Sequence, residues 1–157
     1  MTRFRCAGLV LLAASALLAP AGGAGAVPHP SILLAGEADY VAAKALIEAR
    51  DFEGALRRLA ELERHYPREA EIYSLKGFAL RKLRRYDEAL PLYLKALSLD
   101  PDHLGANEYL GELYAETGRL PLAEERLAVL RRLCPAGCEE AEDLREAIAA
   151  ARGRTRP

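Results

Sequence analysis

Cys134 and Cys138 are the side chains of this sequence best placed to do chemistry: two thiols four positions apart in Cys134-Pro135-Ala136-Gly137-Cys138. In an oxidising compartment such a pair most simply closes a disulfide. Closing so short a loop would contribute roughly 2 kcal/mol by chain-entropy reasoning. A redox-active pair, half of a metal site and two free thiols are the alternatives. The spacing is neither the C-x-x-C of oxidoreductases nor the C-x-x-C-H of haem attachment. A tetrahedral zinc site needs two more ligands, and no histidine stands nearby in sequence.

The other reactive side chains read more simply. His29, His65 and His103 fall in a linker and at two helix ends, where a histidine caps carbonyls or faces water. Acid pairs such as Asp87-Glu88 and Glu139-Glu140 open helices, where the helix dipole favours them. No serine or threonine has a nucleophile-like setting, and no glycine-rich phosphate loop is present. There is no catalytic constellation, and neither a cofactor nor a metal is expected. The most concentrated basic run, Arg81-Lys82 with Arg84-Arg85, spans a helix end and the turn after it. It reads either as a solvated turn complementing a helix C-terminus or as a contact for an acidic partner.

The chain has 157 residues. Its start has the order of a secretory leader: Arg3 and Arg5, an apolar run from Ala7 to Leu18, then small residues ending Ala24-Gly25-Ala26. Cleavage is expected after Ala26, leaving a linker over 27–35. The apolar run falls short of the roughly 20 residues a spanning helix needs, and no cysteine sits at the cleavage point for lipid attachment. The expected address is therefore periplasmic or secreted, with no membrane anchor after cleavage. Lys and Arg total 22 and Asp and Glu 23; without Arg3 and Arg5 the balance is 20 against 23, a net charge of −3. That charge, the exported address and the lack of aromatic residues among the basic ones exclude a nucleic-acid partner.

These residues must be positioned by a repeat. Ala55, Ala89 and Ala123 stand 34 apart, as do Pro67, Pro101 and Pro135. Ala43, Gly77 and Gly111 keep that step, and so do Leu46, Leu80 and Tyr114, Phe52, Tyr86 and Leu120, and Leu59, Tyr93 and Leu127. Each unit reads as two amphipathic helices with apolar residues three and four apart. The small residues let the two backbones approach. The Phe52 column opens the second helix, and proline closes it because it cannot donate the next hydrogen bond. Gly118 fits the turn between helices, and Pro91 and Pro121 are placed in or near first turns, where a missing donor costs least.

A period of 34 with small, large, aromatic, alanine and proline columns resembles the tetratricopeptide repeat, and the middle unit carries it best, through Tyr73, Gly77, Leu80, Tyr86, Ala89, Tyr93, Ala96 and Pro101. The resemblance implies an all-α fold: an α-α superhelix of three hairpins over 36–69, 70–103 and 104–137. A capping helix over 138–152 and a frayed tail over 153–157 should follow. The units span about two-thirds of the chain. Asp39 and Asn107 depart from a column filled by Tyr73, and the first unit is the most degenerate.

In this family the first helix of each unit lines a concave surface that holds peptides or partner helices. Carried over by column, that surface comprises Glu37, Tyr40, Lys44, Ile47 and Glu48, then Glu71, Ser74, Phe78, Arg81 and Lys82. In the third unit it comprises Gly105, Glu108, Glu112, Ala115 and Glu116. Phe78, Tyr40 and Ile47 would form an apolar strip, with basic residues in the middle and acidic ones at the far end. The family's heat-shock-tail binders grip a terminal carboxylate with Lys, Asn and Arg. The matching places hold Tyr40, Lys44, Leu75, Gly105 and Tyr109, which is not that set. The function implied is a non-catalytic adaptor, scaffold or assembly factor that binds a protein or peptide. Self-assembly into a homo-oligomer and thiol-redox or metal carriage through Cys134 and Cys138 are the other readings.

Overall fold

The computed structural model describes residues 36–154. The expected leader over 1–26 and the whole of the linker over 27–35 lie outside the described residues. Seven helices follow one another: α1 (Glu37–Glu48), α2 (Phe52–His65), α3 (Ala70–Lys82), α4 (Tyr86–Leu99), α5 (Leu104–Glu116), α6 (Leu120–Leu133) and α7 (Glu139–Arg154). The first six pair into three hairpins, α1 with α2, α3 with α4 and α5 with α6, and α7 packs on both α5 and α6. No strand occurs among the described residues. The architecture is the all-α hairpin stack that the periodicity implies. The last helix runs on to Arg154, two residues beyond the end expected at Arg152, so Gly153 does not stop it.

Each repeating column does a definable job. Ala55, Ala89 and Ala123 are fully buried, while Phe52, Tyr86 and Leu120 begin α2, α4 and α6. A Cβ on Gly77 would come within 2.6 Å of the Tyr93 ring, so the crossing of α3 over α4 has room only for hydrogen. At Gly111 the tight neighbour is instead Leu144 of α7, 2.5 Å from such a Cβ. The capping helix thus takes up the contact that the last unit leaves open.

The apolar core is a chain of small clusters, each drawing on neighbouring units. Ala43, Leu59, Leu62, Ile72 and Leu75 join the first hairpin to α3. Leu80, Ala89, Tyr93, Leu110 and Leu113 join the second to α5. Leu127, Leu130, Leu144 and Ile148 seal the third against α7. Stability in such a stack is carried by nearest-neighbour contacts.

The departures from the columns have local causes. Tyr73 donates its hydroxyl hydrogen to the Pro67 carbonyl at 2.9 Å. Asn107, one repeat later, reaches the Pro101 carbonyl through Nδ2 at 3.1 Å. An amide therefore replaces a phenol in tying each unit to the proline that closes the previous one. Pro121 is in the first turn of α6, but Pro91 is the sixth residue of α4, inside the helix. The Asp87 carbonyl loses its donor there, at an exposed residue where water can replace it.

The three turns within hairpins share one backbone state. Arg50 (φ 61°), Arg84 (φ 63°) and Gly118 (φ 77°) are left-handed and stand at the same place in successive units. Only the third is the residue type for which this conformation is free of strain. Arg84→Gly should raise the free energy of unfolding by about 0.5 kcal/mol, read by urea denaturation. A loss of stability would mean that the Arg84 side chain outweighs the strain.

Candidate functional site

The odd-numbered helices form one layer. α3 meets α5 and α5 meets α7 directly, and Tyr40 of α1 donates a hydrogen bond to Glu71 Oε1 of α3 at 2.8 Å. The other Glu71 oxygen lies 3.0 Å from His103 Nε2 at the start of α5. His103 is also the N-cap of α5, its Nδ1 accepting from the Ala106 amide at 3.2 Å. These two contacts assign the neutral tautomer with hydrogen on Nε2. Burial alone would raise the Glu71 carboxyl, but hydrogen bonds from His103 and Tyr40 hold it below the ordinary carboxylate range. For His103, burial favours the neutral ring and Glu71 outweighs it, so its pKa lies above the usual value. One carboxylate thereby ties together three repeats.

Further along the same layer, Arg81 is 2 % exposed. Its guanidinium pairs with Glu112 and, at 2.5 Å, with Glu116, both on α5. It also lies over the rings of Phe78 and Tyr109, 5.5 and 5.9 Å from their centroids. Burial opposes the charge, and the Tyr93 oxygen together with Glu112 and Glu116 reverses that effect. The rings continue as a ladder: Phe52 to Phe78 at 6.3 Å, Phe78 to Tyr109 at 4.8 Å and Tyr109 to Tyr93 at 6.4 Å. Exposed Lys82 covers the Phe78 ring at 4.9 Å, and exposed Lys44 stands 5.8 Å from the Tyr40 ring centroid.

Toward α7 the layer turns acidic. Glu108 is 8 % exposed. Burial first, then the charges of Glu112, Asp143 and Glu140, push its carboxyl up to about 8, with Arg81 opposing. Burial also raises Glu112, against the pull of Arg81 and Lys82.

The structure brings Tyr40, Phe78, Arg81, Glu108 and Glu112 into one layer but alters several roles expected from sequence. Arg81 is buried and doubly paired, so it is not part of a solvated basic turn; Lys82, Arg84 and Arg85 are. Arg85 is itself held by Glu88 at 2.7 Å and Glu53 at 3.3 Å. Phe78 is half-buried in the ring ladder rather than free. Ile47 packs on the first apolar cluster. Ser74 is fully buried, its hydroxyl without a partner among the described residues. Sequence reading gave His103 and Glu140 only helix-end roles, met Tyr109 only as an unmatched clamp position, and missed Asp143. One signal pointed to the α3–α5 seam: Glu112 and Glu116 follow Arg81 by one repeat, less or plus a few positions.

Cys134 and Cys138, expected from sequence to pair, stand in the structure as two separate thiols. The turn that carries them closes through the Gly137 amide donating to the Cys134 carbonyl at 2.9 Å. Leu144, Ile148 and Ala151 already seat α7 on the last hairpin, so its position needs no covalent link. Burial, contact with Cys134 and the nearby Glu140 push the Cys138 thiol above its usual value. The two sulfurs border a shallow cavity of about 370 Å³ with Arg131 and Arg145. No group of three or more His, Cys, Asp or Glu side chains among the described residues is arranged to hold a metal. Nor is any described helix long and apolar enough to cross a membrane.

A family model described as tetratricopeptide repeat matches residues 40–103 and, overlapping, 75–137. The chain belongs to the tetratricopeptide repeat family. No curated protein matches it. Solved tetratricopeptide-type structures are similar at the level of fold. The TPR2B domain of yeast Sti1 in its pHsp70 complex aligns with TM-score 0.68 at 21% identity, over 76% of this chain and 97% of that one. The Yersinia enterocolitica type III secretion translocator chaperone SycD gives 0.66 at 18%, over 76% and 84%. PcrH in complex with the chaperone binding region of PopD gives 0.63 at 21%, over 76% and 92%.

In this tetratricopeptide stack Arg81 is the cation on which Glu112 and Glu116 rely. Arg81→Ala leaves both carboxylates uncompensated and should lower stability by about 3 kcal/mol in denaturant unfolding. Arg84→Ala, three residues on and exposed, should stay within about 0.5 kcal/mol. Equal effects would show that the buried pair has no special weight.

Proposed function

We propose that this chain is a non-catalytic protein-binding module, an adaptor or assembly factor, that seats a partner segment along α1, α3, α5 and α7. The observation that carries this reading is the half-exposed aromatic shelf of Tyr40, Phe78 and Tyr109. Buried ion pairs hold the shelf rigid, and the exposed cations Lys44 and Lys82 rim it. Aromatic rings on a fixed backbone offer contact area with little ordering cost. Family membership supports the reading, as do complexes of similar folds: the yeast domain with pHsp70, and PcrH with the chaperone binding region of PopD.

The leader expected at residues 1–26 makes the working compartment the bacterial periplasm or the exterior. The thiol-carrier alternative fares poorly. A thiolate is the reactive form, and the surroundings of Cys138 favour the thiol. Self-assembly is the second reading, favoured by Val41 of α1, the first described helix, an aliphatic side chain left 59% exposed.

The test is affinity capture from envelope extract by the tagged protein and by a Lys44→Glu/Lys82→Glu variant. Both changes are at exposed positions and leave the Arg81 pairs intact. A partner retained by the parent and lost by the folded variant is the expected result. A partner captured equally by both would place binding elsewhere, and recovery of the bait's own copies alone would favour self-assembly.

A further inference from the structure

The joints between successive hairpins are not alike. Four residues, 66–69, separate α2 from α3, and four, 100–103, separate α4 from α5; α6 and α7 are separated by five, 134–138. Proline is the second residue of all three joints. The added residue is Cys138, directly before α7, while Cys134 is the C-cap of α6. Run straight, such a joint would hold its end Cα atoms about 13 Å apart, and a disulfide needs less than roughly 7 Å. The joint is folded back instead. The Gly137 amide donates to the Cys134 carbonyl at 2.9 Å, and Gly137 is left-handed with φ 95°. The Cys138 carbonyl accepts from the Glu142 amide at 3.2 Å, which starts α7. Both cysteines are half-buried and border the same cavity, so a solute can reach either sulfur.

This joint meets α7 where the helix is least held. Glu139, Glu142 and Asp143 are exposed, Glu140 and Ala141 are half-buried, and the first buried residue of α7 is Leu144. Of residues 139–143, Ala141 is the one that packs on the apolar cluster of the last hairpin. A helix end with so few contacts opens locally.

We propose that Cys134 and Cys138 are a reversible oxidation site, whose intramolecular disulfide latches the first turn of α7 to the end of α6. The inference goes beyond the protein-binding reading and does not depend on it. Oxidation needs an acceptor of two electrons, here the disulfide RSSR of a low-mass thiol or of an oxidoreductase. The leader expected at 1–26 would direct the chain to a compartment that holds such oxidants. Cys134 gives its proton to water, and its sulfur attacks one sulfur of RSSR, forming a mixed disulfide and expelling RS⁻, which takes up a proton. Cys138 then gives up its proton and attacks the Cys134 sulfur. The Cys134–Cys138 bond closes, and the second RS⁻ leaves and is protonated. Two protein thiols are oxidised and one RSSR is reduced to two RSH. Cys138 acts second because burial and the adjacent Cys134 push its thiol up, and the thiolate is the attacking form. The same property makes it a poor leaving group when the bond is attacked again. The pair is thus suited to holding a bond rather than handing it on, as a carrier must.

For the test, the whole protein is equilibrated with oxidised and reduced glutathione and the remaining thiols are alkylated. The tryptic peptide 133–145, which contains both cysteines, is then weighed. The expected result is a peptide two hydrogens lighter, without glutathione or alkyl groups, that regains both thiols in dithiothreitol. Amide hydrogen exchange over 139–143 should be about tenfold slower in the oxidised protein than in the reduced one, with 37–48 unchanged. Cys134→Ser/Cys138→Ser should fold, because Leu144, Ile148 and Ala151 seat α7. It should exchange like the reduced protein under both conditions. A peptide that ends as glutathione adducts, or joined to a second chain, overturns the proposal. So does a cyclised peptide with unchanged exchange over 139–143, since the bond would then latch nothing. Neither result bears on the groove reading, which the capture experiment judges by itself.

Discussion

The Arg81 guanidinium lies buried at the seam between α3 and α5, and much of the inner layer is arranged around its need for compensation. A charge taken that far from water persists only where opposite charges and ring faces replace the lost hydration. Glu112 and Glu116 supply the charge, and Phe78 and Tyr109 supply the faces. Those contacts fix the register of α3 against α5, which sets the spacing of the aromatic shelf. A repeat stack has few long-range contacts to fix such a register, so a single directional pair between neighbouring units carries unusual weight. The Tyr40–Glu71–His103 chain does the same at the other end of the layer, joining the first unit, the second and the cap of the third.

The repeat was legible because its columns are imposed by packing that recurs in every unit. Gly77 leaves room for a ring, Ala89 for a helix crossing, and Pro101 ends a helix; each of these constraints is local and has few solutions. The left-handed turn was legible only at Gly118. Arg50 and Arg84 adopt the same conformation against their preference, because the crossing of the hairpin determines it more strongly than the residue does. The candidate site was partly legible. Column matching placed Tyr40, Phe78, Arg81 and Glu108 on one layer. It could not tell a solvated arginine from a buried one, since that depends on carboxylates one repeat away. The role of Asp143 was equally hidden, because α7 stands outside the repeat and its register is set by Leu144 meeting Gly111.

Charge runs unevenly along the layer. Lys44 and Lys82 stand free beside rings in the first two units, and beyond Arg81 the surplus is acidic. A surface of this kind discriminates by orientation as well as by shape, because a segment with its charges reversed would meet repulsion at both ends. The cysteine turn lies at the end of the last hairpin, where two thiols border a shallow cavity flanked by arginines. Its thiols contribute nothing to this polarity.

Hydrogen exchange of the protein with and without its captured partner tests the central claim most directly. The account predicts new protection confined to α1, α3, α5 and α7, strongest around Phe78 and Tyr109, with α2, α4 and α6 unchanged. Protection falling instead on the outer faces of α2, α4 and α6, around exposed Leu94 and Leu122, would contradict it.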